Sequence, residues 1–209
     1  MARGQDTRDR ILDTAQSLIM ERGFSATSLD DILKATGVTK GAFFHHFKSK
    51  GDLAQKLVER FATDDFAMFD EWDRRAEALS EDPYQAIVLF LKFFEEWLDN
   101  LDEPFAGCLF AVYVYESTLF DTNVNEFVKQ SFEHWQKYYE RKFDAVLAVR
   151  KPRLEITARE LAETIIAILE GAFILARSYG EPELITRQSR LFRGYLKLVF
   201  EEEPATVPA

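Results

Sequence analysis

The chain has 209 residues, 47% hydrophobic and 30% charged, which is typical of a folded globular protein and excludes a disordered one. Its single cysteine excludes an internal disulfide framework and a cysteine-rich zinc module. The net charge of −10 is unevenly distributed, because residues 1–60 contain 10 Lys and Arg against 8 Asp and Glu, whereas residues 61–209 contain 16 against 28. A mildly basic head on an acidic body is a weak indication that the head faces nucleic acid.

Apolar residues recur at helical spacing along almost the whole chain, and they predict an all-α fold of about nine helices with no convincing strand. The expected helices span about residues 7–22, 28–35, 40–47, 49–72, 83–101, 105–120, 123–149, 155–179 and 182–200. The segment 105–120 is nearly all apolar, so we expect it to be buried on all sides. No apolar stretch is long enough for a signal peptide or a membrane span, and we expect a cytoplasmic protein that does not contact membranes.

Two short helices joined through Thr36-Gly-Val-Thr39 predict a helix-turn-helix. Thr27 or Ser28 is expected to cap the first helix, with Asp30 or Asp31 as the partner in a capping box, and Thr39 is expected to cap the second. Helix-glycine-helix turns also occur in helical proteins that do not bind DNA, so the spacing alone leaves the function open.

The second short helix has the residues that a DNA reader needs at its N-terminal end. Gly41 and Ala42 are small enough to let the backbone approach a groove closely, and Thr39 and Lys40 can reach base edges or phosphates. The helix N-terminus itself also favours a phosphate. These features favour DNA binding.

The run from Thr36 to Leu53, with the earlier Arg10-Ile-Leu-Asp-Thr-Ala15, resembles the N-terminal domain of the tetracycline-repressor (TetR) family of transcription regulators. Gly23-Phe24 and Thr27-Ser28 match that domain as well. The resemblance implies a helix-turn-helix DNA-binding domain at residues 1–50 and a domain for ligand binding and dimerisation at residues 51–201. Residues 202–209 are expected to form a disordered tail.

The resemblance also implies a set of DNA contacts, and Phe44 departs from the family pattern, in which Tyr is usual. A hydroxyl–phosphate hydrogen bond should therefore be missing there. Thr27, Ser28 and Lys50 would bind phosphates, and His45 would touch backbone or base. The residues expected at the DNA are Thr27, Ser28, Thr39, Lys40, Gly41, Ala42, Phe44, His45 and Lys50.

Two other features of the head have open interpretations. The basic residues Arg3, Arg8 and Arg10 could add contacts to phosphates or the minor groove, or could be solvated charges on a frayed end. Of the paired histidines, one is expected to face DNA and the other to pack on the first helix. No carboxylate or cysteine nearby completes a metal site, so neither a metal nor a cofactor is expected.

Family members are usually homodimers that release DNA when a small molecule binds the C-terminal domain, and apolar faces near the C-terminus support a dimer here. Gly171 would permit a close helix approach. A dimer would place two recognition helices one DNA turn apart, about 34–36 Å. Alternatively, these faces pack only within one chain. The residues of the expected dimer face are Leu161, Ile165, Ile168, Leu169, Ala172, Leu191, Tyr195 and Leu198.

The residues that we expect to line an effector site are Trp97, Cys108, Phe110, Tyr113, Glu116, Trp135 and Tyr139. A partly buried Glu116 would favour a cationic or hydrogen-bonding ligand, whereas an exposed one would only mark the edge of its helix. Cys108 is either an inert buried thiol or a sensor of electrophiles and oxidants. A sensor thiol needs a nearby cation, and no Lys or Arg lies within about eleven residues in sequence.

These observations predict a ligand-responsive regulator, most simply a repressor that binds a palindromic operator as a dimer and is released by a small, largely apolar or aromatic effector. The same domain can also serve an activator. The alternatives are a repressor that senses through Cys108 and a ligand-binding helical dimer without specific DNA binding. An enzyme is not expected, since the sequence contains no Gly-rich phosphate loop, no G-x-S-x-G and no Glu-x-x-His.

Overall fold

The computed structural model describes residues 2–200, with side chains from Asp6 onward, and over this range it confirms the predicted all-α fold. Residues 2–200 form nine α-helices and a 3₁₀ turn at Ser117–Leu119. The helices are α1 (Ala2–Arg22), α2 (Leu29–Thr36), α3 (Lys40–His46), α4 (Lys50–Leu79), α5 (Pro83–Asp99), α6 (Leu109–Tyr115), α7 (Thr122–Val149), α8 (Ala158–Tyr179) and α9 (Glu183–Phe200). The predicted disordered tail, 202–209, lies outside the described residues.

The chain forms two compact units. The first unit comprises Met1–Ala67 and Ala106–Ser131, and the second comprises Met68–Phe105 and Phe132–Ala209. The unit boundaries fall within α4, within α7 and within the segment between α5 and α6. The expected domain boundary at residue 50 stays a prediction.

The first unit is built on the apolar face of α1, which packs against α2 and α6. Four apolar residues of α2, α3 and the segments that follow them pack the short helices together, and all four are buried: Ile32, Val38, Phe43 and Phe47. Because each has almost no exposed surface, the orientation of α3 on α1 and α2 is fixed by close packing.

The prediction of a helix buried on all sides at residues 105–120 is wrong. The helix in this segment is α6, only seven residues long, and a non-helical lead precedes it in which Gly107 has φ +105°. Val114, Tyr115 and Leu119 are exposed, whereas Leu109 and Phe110 are completely buried. The apolar residues therefore divide between an inner and an outer face, and apolar content alone did not distinguish the two.

The second unit has an aromatic and aliphatic core between α5, α8 and α9, in which α9 packs on both of the other helices. Phe90, Phe192 and Leu196 are among its most completely buried residues. Within residues 2–200, none of the helices combines the length and the apolar character needed to cross a bilayer.

Candidate nucleic-acid interface

The helix-turn-helix begins with a complete capping box. Ser28 Oγ accepts a hydrogen bond from the Asp31 amide (3.1 Å), and the Asp31 carboxylate accepts one in return from the Ser28 amide (2.9 Å). The hydrogen bonds from Ser28 hold the pKa of Asp31 below its usual value. α2 ends at Gly37 with φ +67°, a left-handed conformation that glycine adopts without strain. The predicted capping box of Ser28 and Asp31 is confirmed.

α3 follows at once and is capped by Thr39, whose Oγ1 accepts a hydrogen bond from the Ala42 amide (3.2 Å). Phe43 anchors the inner face of the helix with 0% of its surface exposed. The opposite face is open: Thr39, Lys40 and Gly41 are exposed, and Ala42 is half-buried. Apart from its chain neighbours and its own helix backbone, no atom of the described chain lies within 4 Å of a Cβ built on Gly41, so there is open space beside this residue.

Phe44 and His45 extend the exposed face of α3 by one turn. The Phe44 ring is 46% exposed and meets the Phe43 ring edge-on at 5.4 Å, so an apolar ring occupies the place where the family usually has a phenol. His46 is half-buried, with its ring 6.3 Å from that of Phe47, so the two histidines divide between outside and inside. Among the described residues, no three side chains form a group that could hold a metal ion.

Two of the residues that were predicted to contact DNA have side chains that form hydrogen bonds within the protein. Thr27 is 0% exposed and donates its hydroxyl hydrogen to the Gly23 carbonyl (2.8 Å), so its side chain cannot bind a phosphate in this conformation. Lys50 is half-buried, and its Nζ donates to the Phe24 carbonyl (2.6 Å) while lying 3.9 Å from the centre of the Phe24 ring. Burial lowers the pKa of Lys50.

The basic N-terminal arm is described in part. The side chain of Arg3 lies outside the described residues. Arg8 pairs with Asp9 (3.7 Å) and its guanidinium lies 5.8 Å from the Phe47 ring, whereas Arg10 is exposed. Of the two arginines whose side chains are described, Arg10 therefore presents the more exposed charge, of the kind that a DNA phosphate attracts.

Four of the expected effector residues, Cys108, Phe110, Tyr113 and Glu116, lie in the first unit. Tyr113 is completely buried, donates its hydroxyl hydrogen to the Ala54 carbonyl (2.8 Å) and stacks on Phe120 (4.3 Å). Desolvation raises the pKa of Tyr113 far above its normal value. Phe110 and Cys108 are also buried. Phe110 and Tyr113 thus belong to the packed interior of this unit.

Glu116 is half-buried and bonds to the turn between α1 and α2, and its place in an effector site stays a prediction. Its carboxylate accepts hydrogen bonds from the Phe24 amide (2.6 Å) and the Ser25 amide (3.2 Å), and also from the Ser25 hydroxyl. These bonds hold the pKa of Glu116 below its usual value against the opposing effect of burial. Sequence reasoning missed this role because the partners are 92 and 91 residues away along the chain.

The other three expected effector residues lie in the second unit. Trp97 and Tyr139 belong to one continuous aromatic cluster, and Trp135 is buried beside Phe132 (5.4 Å). We use the name aromatic cluster for the continuous set of rings that includes Trp97 and Tyr139 and does not include Trp135. Its members are Phe69, Trp72, Phe90, Phe94, Trp97, Phe105, Tyr138, Tyr139 and Phe173.

Sequence analysis missed Tyr138, whose hydroxyl is buried in this cluster without a hydrogen bond to any described residue. Burial is the main reason that its pKa is raised, and the nearby charge of Asp73 adds to the effect. Buried hydroxyls normally have a partner, and here the Asp73 carboxylate is near enough to affect the hydroxyl although no hydrogen bond is formed. The only feature of the sequence that marks Tyr138 is that a second tyrosine, Tyr139, follows it directly.

The expected dimer face is divided by the structure. Leu161, Ile165 and Ala172 are buried within the chain's own core, so their assignment to a dimer interface is wrong. Leu191 and Leu198 are 61% and 69% exposed. Small and apolar residues of α8 and α9 form the face that remains open. We call it the α8–α9 face, and it comprises Gly171, Ile174, Leu175, Tyr179, Leu191, Gly194 and Leu198.

Comparison with known proteins covers both parts of the chain. Residues 11–57 match a family model described as bacterial regulatory proteins, tetR family, and residues 83–190, about half of the chain, match the LmrA/YxaF-like C-terminal domain of transcriptional regulators. The transcriptional regulator YxaF of Bacillus subtilis is 28% identical over 172 residues, 82% of this chain and 85% of its own length.

Two further matches extend over almost the whole chain. The transcriptional repressor DhaR of a Mycobacterium species is 25% identical over 195 residues, 93% of this chain and 90% of its own length. A crystal structure of a TetR-family regulator from Agrobacterium tumefaciens has 25% identity and a TM-score of 0.78, and the match covers 94% of this chain and 99% of the other.

Proposed function

This chain belongs to the TetR family of bacterial transcriptional regulators and is a ligand-responsive repressor, and from this premise we propose how it works. A homodimer binds a palindromic operator through α3 of each subunit, and a small, largely apolar or aromatic effector releases it. The name of the relative DhaR, a transcriptional repressor, supports repression. DNA as the partner also implies the cytoplasm as the location.

The observation that carries the proposal is the open face of α3. Its residues Thr39, Lys40, Gly41, Phe44 and His45 are exposed, while the completely buried Phe43 fixes the helix from behind. An α-helix with side chains is about 10–12 Å wide, and the major groove of B-DNA is about 12 Å wide. Ser28 is exposed at the start of α2, where its hydroxyl donates to the Asp31 carboxylate (2.6 Å), so a phosphate would have to replace that bond. Thr27 is left out because it is buried.

The α8–α9 face supports the dimer. Its exposed Leu191 and Leu198 lie two helical turns apart, and Gly171 and Gly194 have open space where a Cβ would stand. Two helices from each subunit would form a four-helix interface. Replacing Leu191 and Leu198 with Glu is expected to convert a dimer into a monomer of about 24.2 kDa, measured by light scattering after gel filtration. A variant that stays dimeric would exclude this face.

The aromatic cluster supports an aromatic or apolar effector. Its rings offer apolar contact, and the buried Tyr138 hydroxyl without a partner offers one hydrogen-bond donor to a ligand. Cys108 is 7% exposed, which favours an inert thiol over a redox sensor. If oxidants release wild-type protein from DNA and not Cys108→Ser, the thiol-sensing alternative replaces our proposal.

The direct test is fluorescence anisotropy with DNA from upstream of the protein's own gene and with random DNA of equal length, each titrated over salt. We expect tighter binding to the upstream fragment. Lys40→Ala should weaken specific binding by about tenfold or more, because one good base contact contributes about 1–3 kcal/mol of discrimination. Lys137→Ala removes the same charge from an exposed position on α7 and is the control.

Equal effects of Lys40→Ala on both DNAs would show that Lys40 contacts only phosphates. Equally weak binding of the wild-type protein to both DNAs would instead favour the alternative of a ligand-binding dimer without specific DNA binding.

A further inference from the structure

The turn between α1 and α2 is held by a side chain from the end of α6. Glu116 is the C-terminal cap residue of α6, and its two carboxylate oxygens point into the turn. One oxygen lies 2.6 Å from the Phe24 amide nitrogen, and the other lies 3.2 Å from the Ser25 amide nitrogen and also bonds the Ser25 hydroxyl. Hydrogen bonds to an ionised carboxylate are about twice as strong as neutral ones.

Two carbonyl groups of this turn also have partners. The Phe24 carbonyl accepts a hydrogen bond from Lys50 Nζ (2.6 Å), and the Gly23 carbonyl accepts one from the buried Thr27 hydroxyl (2.8 Å). Lys50 and Glu116 attract each other, so the positive and negative groups support the same conformation of the turn. Ser28, the cap of α2, follows directly. The conformation of this turn therefore determines where α2 begins.

α6 is itself attached firmly to the start of α4. The Tyr113 hydroxyl donates to the Ala54 carbonyl (2.8 Å), and the Phe110 ring packs edge-on against Phe61 (5.2 Å). Phe24 also contacts Phe120 just beyond α6 (4.6 Å). The carboxylate thus extends from a fixed helix, so it can determine the position of the turn instead of following it.

We infer that Glu116 is a positioning residue for operator binding: its carboxylate holds the α1–α2 turn, and through it α2 and the recognition helix α3, in the orientation that matches the operator. The inference rests on the proposed function, since it assigns α3 to the operator. Glu116 itself does not touch DNA. Loss of its charge should therefore reduce the affinity for the operator more than the affinity for random DNA, which requires no exact fit.

The variant Glu116→Gln keeps the size of the side chain and removes one acceptor. A glutamine has one oxygen and one NH₂ group, so one of the two amides of the turn would face another donor. The control is Glu126→Gln, which makes the same change of charge at an exposed position of α7 in the same unit.

Two measurements test the inference. Hydrogen exchange followed by mass spectrometry on a peptide covering residues 20–30 reports whether the Phe24 and Ser25 amides are held. Anisotropy with the upstream DNA and with random DNA reports the ratio of specific to non-specific affinity, at a temperature where both variants are fully folded.

We expect faster exchange in Glu116→Gln and a loss of about tenfold in operator affinity, a common size for coupling between distant sites. Random DNA should be bound within about twofold of wild type, since Glu116 makes no phosphate contact. Glu126→Gln should match wild type in both measurements.

Unchanged exchange would overturn the role of Glu116 in holding the turn. Faster exchange with unchanged operator affinity would overturn its role in positioning, leaving only a structural one. An equal loss on operator and random DNA would overturn it too. If the wild-type protein shows no preference for the upstream DNA while exchange still depends on Glu116, the proposed function fails and the positioning role fails with it, although the contact with the turn stands.

Discussion

Each unit contains a glutamate that accepts hydrogen bonds from residues far away in the sequence, but the two glutamates differ in burial and in their partners. In the second unit, Glu95 on α5 is 5% exposed and accepts hydrogen bonds from Ser189 (2.9 Å) and from two nitrogens of the Arg193 guanidinium (2.8 and 2.7 Å). In the first unit, Glu116 is half-buried and bonds mainly to backbone amides.

The two glutamates differ in what breaking their bonds would expose. Opening the pair between the buried Glu95 and Arg193 would leave the Glu95 charge away from water, which is costly. Glu116 is half-buried, so water can solvate its carboxylate when a bond to the turn breaks, and no stranded charge results. We therefore expect changes at Glu95 and its partners to alter stability, and changes at Glu116 to alter the shape of the DNA-binding surface.

The largest predicted effect is that of Arg193→Met on the free energy of unfolding. The substitution leaves the Glu95 carboxylate buried without the guanidinium that donates two hydrogen bonds to it. We expect the free energy of unfolding to fall by about 3–5 kcal/mol, which is typical of breaking a buried pair. Urea unfolding followed by circular dichroism measures it. A loss below about 1 kcal/mol would mean that Arg190, 3.6 Å from the same carboxylate, takes over the pairing.

A smaller effect is predicted for Glu116→Gln, and it should depend on pH. Because the folded state lowers the pKa of Glu116 below 4.5, the charged form contributes stability that is fully present above pH 4.5. That contribution is lost as pH falls through the folded-state pKa. We expect wild type to exceed the variant by about 1 kcal/mol at pH 7, since solvent screens the group, and the difference to vanish in acid. A difference that grew in acid would contradict the sign.

The next effect in size is predicted for removing either of two capping boxes, one in each unit. Ser28 pairs with Asp31 at α2, and Thr157 pairs with Glu160 at α8, with similar geometry. Ser28→Ala and Thr157→Ala should each cost about 1 kcal/mol in unfolding experiments. Only Ser28→Ala should also weaken operator binding. Equal operator affinity in both variants would show that the start of α2 does not affect the DNA contacts.

The smallest effect is predicted for the exposed pair on α8. Arg159 Nε lies 2.8 Å from Glu163, with side chains that are 65% and 53% exposed. Exposed pairs contribute little because water competes for both charges. Glu163→Gln should therefore leave the urea midpoint unchanged within error, and a clear shift would mean that an unrecognised contact involves this residue.

The helix-turn-helix was predictable because its signals are local. Ser28, Gly37 and Thr39 each determine a helix end through groups that lie within three or four residues, so spacing alone reveals them. The buried residues between them follow from the helical period. The aromatic residues Trp97 and Tyr139 were also expected at a common site, and both belong to the aromatic cluster.

The errors concern residues whose surroundings depend on distant parts of the chain. The 105–120 segment was expected to be buried because it is apolar, yet Tyr115 is 75% exposed. The role of Glu116 depends on a turn that lies more than 90 residues away. On α8, helical period identified an apolar face correctly, but it could not indicate whether Leu161 and Ile165 face their own chain or a second one.

The geometry of the α1–α2 turn restricts which residues can replace Gly23 during evolution. Its φ of +89° disfavours any other residue, and a Cβ built there would lie 3.4 Å from both oxygens of Glu116. A larger residue at 23 would strain the turn through its backbone, whereas its Cβ would only make ordinary van der Waals contact with the carboxylate. We therefore expect the glycine at 23 to be retained in descendants that lose the acid at 116 as well as in those that keep it.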